Sequence, residues 1–199
     1  MKTAYRIGRM LALAALLAAP VSFAGLYDAE KTAATGGDLA DQDYWWTAYD
    51  MTMLDLALKQ HQPEGHIGLN LASTLRRIDN LQKKYPNHAG IKAWKEKAES
   101  VNSQINPDAD RGTPFKPGCP WDESNFGQAW VNWRFAQMLL AQKDEDQAFG
   151  LLQNVKQNFE ILQKPGRLDD YPPDLRKWVT DTSVELNKIY PKLKEKTHH

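Results

Sequence analysis

A single cysteine, Cys119, in 199 residues excludes an internal disulfide and leaves the fold to hydrophobic packing. Beyond residue 24 no apolar run approaches the 18 or so residues a membrane helix needs. There is no glycine-rich phosphate loop, no Gly-x-Ser-x-Gly elbow and no Cys-x-x-Cys-His, and none of the expected helices presents the Glu-x-x-His pattern of a di-iron bundle. Nucleotide, serine-hydrolase, covalent-haem and di-iron chemistries therefore have no foothold in the local pattern. No paired acid, base or nucleophile can be nominated by spacing, so the chain reads as non-catalytic. Charge of either sign is not in excess: 25 basic residues face 25 acidic ones, which argues against nucleic acid or an anionic membrane as the main partner.

The first 24 residues have the layout of a secretory signal. Lys2, Arg6 and Arg9 precede the apolar run Met10–Ala19, followed by Pro20 and a small-residue exit at Ser22-Phe23-Ala24. Cleavage near Ala24 predicts a periplasmic or secreted protein of 175 residues, with 22 basic and 25 acidic side chains and a net charge of −3. Residues 25–43, rich in Ala, Gly, Thr and Asp, read as a flexible lead.

The remaining chain carries one pattern twice. At an offset of 81, Ala48-Tyr49 falls on Ala129-Trp130, Leu58 on Leu139 and Leu81-Gln82-Lys83 on Leu162-Gln163-Lys164; at 84, Trp94 falls on Trp178 and Ile105 on Ile189. This predicts an internal duplication: a three-helix unit over 44–107, a Pro/Gly linker over 108–121, a second unit over 122–192, and a disordered basic tail over 193–199. The stripes Ile67-Leu71-Leu75-Ile78-Leu81-Tyr85, Ile91-Trp94-Ala98-Val101-Ile105 and Ala148-Leu152-Val155-Phe159-Leu162 recur every three or four residues, as amphipathic helices require. The first helix of each unit instead carries apolar residues on more than one face. No segment alternates like a strand, so the predicted fold is all-α, with two three-helix units packed as one helical-repeat or bundle-like domain.

Local signals mark the helix ends. Pro63-Glu64-Gly65 is expected to break the first helix, Asp122 or Ser124 to cap the fourth, and Asp144 with Gln147 to form a capping box.

Three groups of residues are candidates for a site. Trp121, Phe126, Trp130 and Trp133 crowd a helix that cannot hide every ring against one neighbour. They predict a groove for a protein or peptide partner, with a packed core as the alternative. His61 and His66 flank a turn downstream of Met51 and Met53. Imidazole with thioether suits copper and imidazole with carboxylate suits zinc, whereas the alternative is an exposed polar turn beside a buried Met pair. Cys119, followed by Pro120, offers a redox thiol, a cysteine-linked dimer or a haem thiolate; the alternative is a plain linker thiol.

Overall fold

The computed structural model describes residues 38–197 apart from residue 110, so the expected signal and most of the expected lead lie outside the described residues. Among the described residues six α-helices run in order: α1 (Gln42–Lys59), α2 (Glu64–Lys84), α3 (Ala89–Gln104), α4 (Ser124–Ala141), α5 (Glu145–Leu162) and α6 (Pro173–Thr197). A short 3₁₀ turn, Pro120–Asp122, precedes α4, and no strand occurs among the described residues. The all-α expectation holds.

The described residues group into two compact units, one of Asp50–Lys116 and one of Asp38–Tyr49 with the chain from Pro117 onward. This boundary differs from the expected one. The start of α1 belongs with α4 because Tyr49 packs its ring 5.8 Å from Trp130 and donates its hydroxyl to the carbonyl of Pro120 at 2.7 Å. Gly127 makes room for it: a Cβ there would stand 3.1 Å from both Trp46 and Tyr49 ring atoms. Residues 108–116, expected as linker, pack within the first unit.

The helical stripes do what their spacing requires. Ile67, Leu71, Ile78 and Leu81 of α2, and Ile91, Trp94, Ala98 and Val101 of α3, are buried with Ile105 just beyond. So are Ala148, Leu152, Val155, Phe159 and Leu162 of α5, and Leu175, Trp178 and Leu186 of α6. Each such side chain contributes ~1.5–3 kcal/mol by leaving water. Helices α1 and α4 have no free face. Tyr44, Trp45, Tyr49, Met53, Leu54, Leu56 and Ala57 are buried around α1, and Phe126, Ala129, Trp130, Val131, Trp133 and Ala136 around α4. Each is therefore enclosed by neighbours on several sides.

Both enclosed helices stop the same way. His61 and Lys143 take left-handed backbone with φ of 52° and 64°. Gln62 N donates to Ala57 O at 3.0 Å and His61 N to Leu58 O at 3.1 Å; Asp144 N donates to Leu139 O at 2.9 Å and Lys143 N to Leu140 O at 3.0 Å. These paired bonds form a Schellman stop at each site, with a non-glycine residue where glycine is usual.

Two expected helix ends are revised, and α3 gains a cap for which no expectation was set. Glu123, rather than Asp122 or Ser124, caps α4 by accepting from Asn125 N at 3.2 Å; its longer side chain reaches back from the 3₁₀ turn. His88 caps α3, with Nδ1 accepting from Ile91 N at 3.2 Å. Gly65 lies inside the first turn of α2 rather than in a break. Asp144 caps α5 as expected, accepting from Gln147 N. The expected disordered tail is also revised: α6 passes through Pro191 to Thr197, and burial of Leu193 ties down the last described turns.

Candidate functional site

The aromatic cluster is core. Phe126 and Trp130 are fully buried, and Trp133 and Trp121 nearly so, which removes the groove expected on them. The rings do project in different directions, but each finds its own neighbour. Phe126 packs 5.3 Å from Trp178 and 6.0 Å from Tyr171, and Trp130 meets Tyr49 on one side with the Arg134 guanidinium 5.7 Å from its ring. Trp130 Nε1 is enclosed without an acceptor, which costs about 1–3 kcal/mol and is offset by the burial of the ring around it. Burial also pushes the Tyr171 phenol up, and the Glu123 carboxylate reinforces the shift; burial and Asp38 do the same for Tyr44.

The proposed metal donors are not gathered. Met51 and Met53 are sealed into the core, whereas the His61 side chain is exposed beyond the helix stop that its own backbone makes. No group of three or more His, Cys, Asp and Glu side chains assembles among the described residues. His66 instead lays its ring 4.8 Å from that of Phe115, with Nε2 enclosed and lacking a hydrogen-bond partner. Cys119 is half-buried just before the 3₁₀ turn, where Glu123 binds Arg167 at 2.9 Å.

The His61–Gly68 corner does assemble a site, through residues that the sequence reading passed over. The left-handed turn at His61 swings Gln62 inward, where it is 4% exposed, and Pro63 then starts α2. The Gln62 amide grips the backbone of one residue: Oε1 accepts from Lys116 N at 2.7 Å and Nε2 donates to Lys116 O at 3.2 Å. That is the bond pair a neighbouring strand would offer, supplied by one side chain. Glu64 Oε2 accepts from Asn106 N at 2.8 Å. Between these fastenings, Gly65 and Gly68, one turn apart, form a bare strip on α2. A Cβ on Gly65 would stand 1.9 Å from Ala109 O, and one on Gly68 2.7 Å from Pro107 Cβ. Only glycine admits backbone this close. The corner thus packs against a turn of main chain at 106–109, closed by Ala109 N donating to Asn106 O at 3.0 Å, together with residues 115–116 further along the same segment. Its one sequence signal was the Gly65-x-x-Gly68 spacing inside an otherwise helical stripe.

Buried polar groups elsewhere join helices. Asp50, buried on α1, accepts from Thr74 Oγ1 at 3.0 Å and pairs with Arg77 on α2. In the second unit Asn132 Nδ2 donates to Asn154 Oδ1 at 2.6 Å, and Asn158 Nδ2 donates to the same oxygen at 2.7 Å.

Fold and corner together define an all-α protein of helical hairpins, in one of which Gln62 and Glu64 fasten the backbone of Lys116 and Asn106. The chain matches no protein-family model, no curated protein and no solved structure.

Proposed function

We propose that the chain is an exported, non-catalytic helical module that binds another protein or a peptide. The observation that carries this reading is the Gln62 amide, buried and bonded through both ends to one residue's backbone above the Gly65–Gly68 strip. Groups that bind N–H and C=O together recognise main chain, as in strand addition, and leave specificity to side-chain positions. Export is supported by the charged, apolar and small-residue order of the first 24 residues. Internal duplication of a three-helix unit is supported by the matched stops at His61 and Lys143, each one residue from the 81-residue register of its flanking helices.

Native mass spectrometry of the protein purified from its host's exported fraction tests this reading. Retention of a second polypeptide is the expected result, and a bare chain across several growth conditions would reject it.

A further inference from the structure

We draw no further inference here: the strongest candidate, the side-chain cluster at the 3₁₀ turn ahead of α4, where half-buried Cys119 precedes the Glu123–Arg167 ion pair, rests on a lone cysteine, and nothing among the described residues points to the ligand or reaction partner it would take.

Discussion

The two units join their helices by different physics. In the first, one ion pair spans each pair of helices: Asp50 with Arg77 between α1 and α2, Asp55 with Lys97 at 2.5 Å between α1 and α3, and Asp79 with Lys95 at 3.0 Å between α2 and α3. In the second, α4 and α5 share the Asn132–Asn154–Asn158 network, and rings make the other junctions. Trp178 of α6 lies 5.3 Å from Phe126 and 5.7 Å from Phe159, and Tyr190 stacks on Phe149 at 5.2 Å. At the 81-residue offset Asp50 corresponds to Val131 and Arg77 to Asn158, so a charged pin in one unit stands where the other has an apolar residue and an amide. The partly exposed pairs Asp55–Lys97 and Asp79–Lys95 fix orientation but add little stability, whereas the buried Asp50 carboxylate and the buried rings contribute more. Over buried apolar stripes, the helices of the first unit are thus cross-linked by charge and those of the second by amides and rings.

The strongest way to break this contrast is Trp178→Ala, which removes the ring shared by α4, α5 and α6. It should cost about 3–5 kcal/mol, read by denaturant unfolding, with hydrogen exchange rising first in α4–α6. Next is Asp50→Asn, which leaves Arg77 without its counter-charge and should cost about 2 kcal/mol, with exchange rising first in α1 and α2. If either variant loosened both units equally, the distinction between them would fail.

Alkaline pH should separate the units without mutation. Tyr44 and Tyr171 both belong to the second unit, and burial raises both phenols above their ordinary value of 10.0. A raised folded value means the unfolded chain ionises first, so their stabilisation is complete below pH 10 and is lost as pH climbs beyond it. Exchange in α4–α6 should therefore accelerate above pH 10 before that in α2 and α3, and Tyr44→Phe with Tyr171→Phe should remove the difference. The smallest effect sharpens what the units share. Replacing His61 or Lys143 by Gly should raise stability by about 0.5–1 kcal/mol at each stop, since each side chain is held at positive φ. A destabilising His61→Gly would mean that the imidazole does more than end a helix.

The fold was largely legible because helical burial is periodic, and the α2, α3 and α5 stripes needed only their spacing. The candidate site was not legible. Trp130 looks the same in sequence whether it lines a groove or a core, because the neighbours that enclose it, such as Tyr49 and Arg134, come from other elements or other faces. Gln62 looked like part of an exposed turn, and its partner Lys116 lies 54 residues on.

The sequence by itself determined the all-α class, the helix stripes and the turn at Asp144, since each follows from interactions within a few residues. Tertiary structure alone decided that the start of α1 packs with α4, that the tryptophans are core, and that Gly65 and Gly68 receive a distant stretch of chain. Those outcomes depend on which surfaces meet, and local propensity does not encode the meeting of residues far apart in the chain.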